Sequence, residues 1–98
     1  MKKTFPFKID NKAPERQVDS IKYEIKKYLK RERGKKLPEG VDFWDFDCKV
    51  GPSLEEAEVI HPAEINKGIS QVFEAGSEQI YIEILAKKGI RTKKPKED

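Results

Sequence analysis

The sequence PERQVDSIKYEIKKYLKRERGKK, residues 14–36, predicts a long amphipathic helix around which the rest of the chain is organised. Its large apolar side chains recur at three- and four-residue steps, at Val18, Ile21, Ile25, Tyr28 and Leu29. Such spacing places them along one face of an α-helix. Pro14 suits the first helical position, and Gly34 suits the position that follows the last turn. We therefore predict a helix from Pro14 to about Arg33.

On both sides of this helix, apolar and polar residues alternate, which is typical of strands that are covered on one face. The predicted strands are residues 3–9, 41–50 and 79–86. A second amphipathic helix is predicted from Pro62 to Ala75, with Gly76 as its stop. The apolar faces of these elements predict one core, formed by Phe5, Phe7, Val18, Ile21, Ile25, Leu29, Trp44, Phe46, Val50, Ile69, Phe73, Ile80, Ile82 and Ile84.

Residues 54–60 fit two structures. Ser53 and Glu56 have the spacing of a helix capping box, whereas Ala57 and Val59 alternate with glutamates, which favours a hairpin strand. With a strand here, the order is β-α-β-β-α-β, a two-layer α+β sandwich of the ferredoxin-like kind, which we prefer. With a helix, the order is β-α-β-α-β. Pro6 counts against the ferredoxin-like order, because the first strand is central there and proline cannot donate to a sheet ladder.

Length and composition predict one domain. Residues 1–86 form the α+β domain, and the Lys- and Pro-rich residues 87–98 are expected to be a disordered basic tail. A single cysteine excludes an internal disulfide and a cysteine-based zinc cluster. The sequence has no apolar run of membrane-spanning length and no apolar signal segment after Met1. We therefore expect a cytoplasmic protein without a membrane partner.

Charge is distributed unevenly along the chain, although the net value is only +3. Residues 22–36 carry a net charge of +6, residues 37–60 a net charge of −6, and residues 87–98 a net charge of +4. Segregated blocks of this kind bear on the choice of partner. Two interpretations remain open: the basic and acidic blocks face each other within the fold, or the basic block binds an acidic partner.

Cations of the first helix form the candidate site. At about 100° per residue, four of them share one flank of the apolar stripe, about one helical turn apart. A row of cations on a rigid helix matches a phosphate backbone. The predicted nucleic-acid-binding residues are Lys22, Lys26, Lys30, Arg33, Lys35 and Lys36. We expect a non-catalytic accessory protein that needs no cofactor and binds RNA or a ribosomal particle. The second hypothesis is a protein-interaction module that docks through its charge blocks.

Asp45 and Asp47 are the candidates for chemistry. Alternation places both carboxylates on one strand face. With Asp42, Glu83 or His61 nearby they would suit Mg²⁺ or Mn²⁺ and phosphoester hydrolysis. Paired acids on the wet face of a strand are ordinary, so a metal-dependent phosphoesterase is the third hypothesis, and we assign no catalytic or metal-binding residue. The lone thiol, Cys48, lies on the apolar side of its strand, which predicts a buried, unreactive group.

Three motifs connect this chain to other sequences. They are KRER at residues 30–33, LPEG at residues 37–40, and WDFDC at residues 44–48 followed by Val50 and Gly51. With the opening MKKTFP, the chain resembles a family of short bacterial proteins of unknown function, and the likeness extends to about Gly89. The resemblance implies a bacterial, single-domain protein. It transfers no catalytic residue.

Overall fold

The computed structural model describes residues 1–90, which form one four-stranded antiparallel sheet and two α-helices. The elements in chain order are β1 (Lys2–Pro6), α1 (Pro14–Arg33), β2 (Phe43–Gly51), β3 (Glu58–Ile60), a 3-10 turn (Pro62–Glu64), α2 (Ile65–Glu74) and β4 (Gln79–Gly89). The α+β class and the preferred β-α-β-β-α-β sequence of elements are confirmed. Neither helix in this part of the chain combines the length and the apolar character that crossing a membrane requires.

The order of strands across the sheet is β1-β4-β2-β3, so β1 and β3 are the edges. β4 lies between β1 and β2, and β2 lies between β3 and β4. The ferredoxin-like arrangement places the first strand at the centre, so the observed strand order differs from the preferred one. Pro6 is consistent with this difference, because it is the last residue of an edge strand and has no N–H to donate.

One core lies between the helices and the inner face of the sheet. Phe5 pairs directly with Ile80, and Cys48 with Ile84, so their side chains share that face. Every predicted core residue belongs to this core, although Trp44 and Phe73 are only partly buried. Cys48 and Ile65 are buried core residues as well.

β4 continues three residues beyond its predicted end at Ala86. The added residues pair with the start of β2, as Lys87 with Asp45, Lys88 with Trp44, and Gly89 with Phe43. The predicted start of the disordered tail at Lys87 is therefore wrong. Lys87 pairs with Asp45 on the neighbouring strand, and composition alone does not reveal a partner that lies elsewhere in the chain. The remaining part of the predicted tail, residues 91–98, lies outside the described residues.

Residues 54–60, for which the sequence fits either a strand or a helix, contain a single turn followed by a short strand. β3 has only three residues and pairs with β2, which confirms the hairpin. Ser53 Oγ accepts a hydrogen bond from the N–H of Glu56 at 3.3 Å, but this contact closes a turn and starts no helix. The turn packs closely on the sheet, since a Cβ added at Gly51 would lie 2.6 Å from the Cα of Ala57.

Candidate nucleic-acid interface

α1 is held firmly against the sheet along one face. Val18, Ile21, Ile25 and Leu29 are buried, as their spacing predicts. Gln17 is buried with them, and its Nε2 donates to the carbonyl oxygen of Pro6 at 2.9 Å. The chain just beyond the helix is fixed as well, because Trp44 Nε1 donates to the carbonyl oxygen of Lys35 at 3.0 Å. The remaining surface of α1 is therefore a rigid platform for its charged side chains.

The four cations predicted to share one flank of α1 differ in their surroundings. Lys22 is half-buried, and its Nζ donates to Ser70 Oγ of α2 at 2.7 Å, so this lysine joins the two helices. Lys26 and Lys30 are exposed, and within residues 1–90 their ammonium groups make no ion pair. The guanidinium carbon of Arg33 lies 5.5 Å from the centre of the Phe46 ring. On this flank Lys26, Lys30 and Arg33 are therefore exposed, whereas Lys22 is committed to its contact with α2.

The two lysines that follow α1 also differ from each other. Lys35 Nζ lies 3.0 Å from Glu32 Oε2, in an ion pair. Lys36 is exposed in the connector that leads to β2. The charge of Lys35 is therefore already partly neutralised by Glu32, whereas Lys36 is exposed in the connector.

A groove of about 1050 Å³ lies along the side of α1 that faces Met1. Aromatic and cationic side chains line much of it, namely Tyr23, Lys27, Tyr28, Lys30, Arg31 and Lys35. Lys27 Nζ lies 5.5 Å from the centre of the Tyr23 ring, and Arg31 Cζ lies 5.5 Å from the centre of the Tyr28 ring. Each pair is a cation–π contact between neighbours three or four residues apart on the helix.

Sequence reasoning missed Lys27, Tyr28 and Arg31 as site residues. The available signal was their spacing, because an aromatic residue three or four positions before a cation brings the two side chains together on a helix. The sequence-based prediction rests on cations aligned in one row, and it assigns Tyr28 to the apolar stripe. Of the predicted residues, only Lys30 and Lys35 line the groove.

The carboxylates of α1 neutralise few of its cations. Glu24 Oε2 lies 3.1 Å from Lys3 Nζ of β1. Glu32 pairs with Lys35, and lies 4.0 Å from the side chain of Arg31. Within residues 1–90, no cation of α1 pairs with Asp45 or Asp47. The surface of α1 therefore keeps an excess of positive charge.

Asp45 and Asp47 lie on the open face of the sheet, away from the helices, where Lys87 approaches both. Lys87 Nζ is 2.7 Å from Asp47 Oδ1 and 3.8 Å from Asp45 Oδ2. The hydrogen bond to Asp47, with the charges of both carboxylates, raises the pKa of Lys87 above its usual value. Within residues 1–90, no three His, Cys, Asp or Glu side chains form a group suited to a metal ion. In this part of the chain, no ligand cluster supports the third hypothesis.

The other candidate groups have structural roles. His61 Nδ1 accepts a hydrogen bond from the N–H of Ala63 at 3.0 Å, so this side chain caps the 3-10 turn. Cys48 is buried, and burial, followed by the charges of Asp47 and Asp45, raises its pKa to about 11, while Arg33 acts in the opposite direction. The thiol is therefore protonated at neutral pH, as the predicted unreactive group should be.

Comparison with known proteins identifies a family and no activity. No curated protein and no solved structure matches the chain. A model of a family of unknown function matches residues 1–95, which is nearly the whole sequence. This match agrees with the predicted resemblance to a family of unknown function. The chain belongs to this family of unknown function, DUF6172.

Proposed function

We propose that this protein is a non-catalytic accessory protein that binds RNA or a ribonucleoprotein through the cationic surface of α1. The observation that carries the proposal is the excess of positive charge on a rigid helix. Lys26 and Lys30 are exposed and have no ion-pair partner within residues 1–90. Unpaired cations release counterions from a phosphate backbone when they bind it, and this release favours association.

The spacing of these cations supports contact with successive phosphates. Lys26 and Lys30 are one helical turn apart, which separates their attachment points by about 6 Å. Arg33 follows within the next turn, and its guanidinium adds donors in a planar fork that matches phosphate oxygens. No base-reading motif accompanies them, so we expect these contacts to position a nucleic acid without selecting its sequence.

A protein-interaction module is the second candidate function. On the open face of the sheet, Phe43 and Leu85 are exposed among charged residues, and Val59 of β3 is 79% exposed. Exposed apolar groups ringed by charge are typical of protein contacts. Salt-sensitive binding to one protein, with no nucleic acid retained, would favour this function over RNA binding.

The test is charge reversal on α1, by the double substitution Lys26→Glu and Lys30→Glu. The matched control is Lys8→Glu with Lys67→Glu, which changes the net charge equally at two exposed lysines outside α1. We expect the α1 variant to bind every RNA tested more weakly by a similar factor, and the control to bind far better than the α1 variant.

Circular dichroism should show that both variants keep the wild-type fold, because neither pair of side chains is buried. The proposal is wrong if wild type binds no RNA at low salt. It is also wrong if the folded α1 variant binds RNA as tightly as wild type.

A further inference from the structure

The groove beside α1 differs from a plain cationic surface because it contains aromatic rings. Tyr23 is 63% exposed, so much of its ring is open to solvent. Tyr28 is partly buried, packs against the core, and has its hydroxyl 3.5 Å from the N-terminal ammonium of Met1. One ring is thus accessible and the other is fixed in the wall of the same groove.

Cations and rings alternate along this groove. Lys27 lies over Tyr23, and Arg31 lies over Tyr28. Along the helix the order is Tyr23, Lys27, Tyr28 and Arg31, so each ring is followed within one turn by the cation that lies over it. A ligand with both anionic groups and flat aromatic groups would satisfy this arrangement, whereas a purely anionic ligand would leave the rings unused.

Unpaired nucleotides have this combination of groups. In a duplex the bases are stacked on one another and only phosphates and groove edges are available to a surface helix. In a single strand the bases are free to stack on tyrosine rings or on arginine planes. Resting on the RNA-binding function proposed above, we propose that the groove binds single-stranded RNA, with bases stacked on Tyr23 and Tyr28 and phosphates beside Lys27 and Arg31.

The experiment compares one fluorescently labelled, unstructured RNA strand with the same strand annealed to its complement. Wild type, Tyr23→Leu and Tyr23→Phe are titrated with each RNA at low salt. Leucine removes the aromatic ring from an exposed position, while phenylalanine keeps the ring and removes only the hydroxyl. Stacking on one base changes affinity by roughly five- to a hundredfold.

We expect wild type to bind the single strand more tightly than the duplex. Tyr23→Leu should weaken single-strand binding by that factor and leave duplex binding unchanged, and Tyr23→Phe should behave as wild type. A second readout is the NMR signal of the Tyr23 ring protons, which should move upfield with the single strand only, because a stacked base shields them.

The outcomes separate this inference from the function on which it rests. Equal affinity for the two RNAs, with Tyr23→Leu binding as wild type and Lys26→Glu/Lys30→Glu binding weakly, overturns the stacking groove and leaves RNA binding in place. Absence of binding to either RNA overturns both. Tighter binding of the single strand that depends on the ring at position 23 supports both.

Discussion

The outer surface of α1 and the open face of the sheet are both densely charged, but they place their charges differently. On the sheet, opposite charges are cross-strand neighbours, since Glu83 of β4 lies opposite Lys2 on one side and Lys49 on the other. Asp45 and Asp47 share Lys87 in the same way. On α1, exposed cations stand one turn apart with few carboxylates between them. The sheet face neutralises itself, and the helix surface does not.

This difference shows that charge density alone does not mark a binding site. Exposed pairs of opposite charge contribute little to stability and leave little field for a partner to use. A set of like charges without ion-pair partners keeps its electrostatic potential. An oppositely charged partner therefore binds it with a favourable interaction energy. This contrast supports the proposal that α1 is the partner-binding surface, and each experiment below compares the two surfaces.

The largest loss of stability is expected from a substitution in the core, which lies between the two surfaces. Phe46 is 4% exposed, so Phe46→Ala should lower the free energy of unfolding by about 3–5 kcal/mol. Leu85, on the open face of the adjacent strand, is 41% exposed, and Leu85→Ala should cost much less. Urea unfolding of both variants measures the difference. Equal losses would mean that the open face is packed against something.

A smaller loss of stability is expected from a substitution at Gly51, beside the sheet, and Gly34, at the end of α1, serves as its control. At Gly51 a Cβ would lie 2.6 Å from a backbone carbon, so Gly51→Ala must displace the turn that follows β2 and should cost about 1–3 kcal/mol. At Gly34 the nearest atoms to a Cβ are 3.6 Å away and the backbone is right-handed helical, so Gly34→Ala should be neutral or slightly stabilising. Thermal melts compare the two, and a tolerated Gly51→Ala would show that the turn is loosely placed.

The smallest predicted effect is on the thiol of Cys48, whose pKa responds to both surfaces. Asp47 on the sheet raises this pKa and Arg33 on α1 lowers it. Asp47→Asn should therefore lower the pKa and Arg33→Gln should raise it, by smaller amounts than burial does. An NMR titration of the cysteine ¹³Cβ measures each change. Shifts of the same sign in both variants would contradict the opposed placement of the two charges.

The raised pKa of Cys48 also predicts how the free energy of unfolding depends on pH. Its pKa is about 11 in the folded protein, against 9.0 for an ordinary cysteine, so the unfolded chain loses this proton first as pH rises. The thiol's contribution to stability is therefore present below about pH 9 and is lost as pH rises towards 11. Chemical unfolding at several pH values should show a steeper alkaline loss for wild type than for Cys48→Ala. Parallel curves would show that Cys48 titrates normally.

Local signals predicted the helices better than the sheet. Pro14 and Gly34 bound the amphipathic pattern of α1, and the helix ends where these residues indicate. The strand order depends on which distant segments pair, and alternation within a strand carries no such information. Phe7 is an example: it is buried as predicted, but it lies beyond the end of β1, where its ring contacts Phe73 of α2 edge-on with centres 5.1 Å apart.

The candidate site was predicted only in part, for a related reason. A helical projection identifies which cations share a flank, and it placed Lys26, Lys30 and Arg33 correctly on the exposed surface of α1. It cannot show that Lys22 meets Ser70, because that serine lies on another helix. The groove also depends on the rotamers of Lys27 and Arg31, which fold over neighbouring rings, and on the position of Met1 at its wall.

The salt dependence of RNA affinity distinguishes binding through α1 from binding through the sheet face. Each phosphate contact on a single strand lowers the slope of log affinity against log salt by about 0.7, so three or four contacts from α1 predict a wild-type slope of about −2 to −3. Lys26→Gln with Lys30→Gln should flatten this slope by about one unit or more. Lys49→Gln with Lys87→Gln, which removes two cations from the sheet face, should leave it unchanged. A wild-type slope near zero, or an equal flattening by the sheet variant, would contradict the proposal that α1 binds RNA.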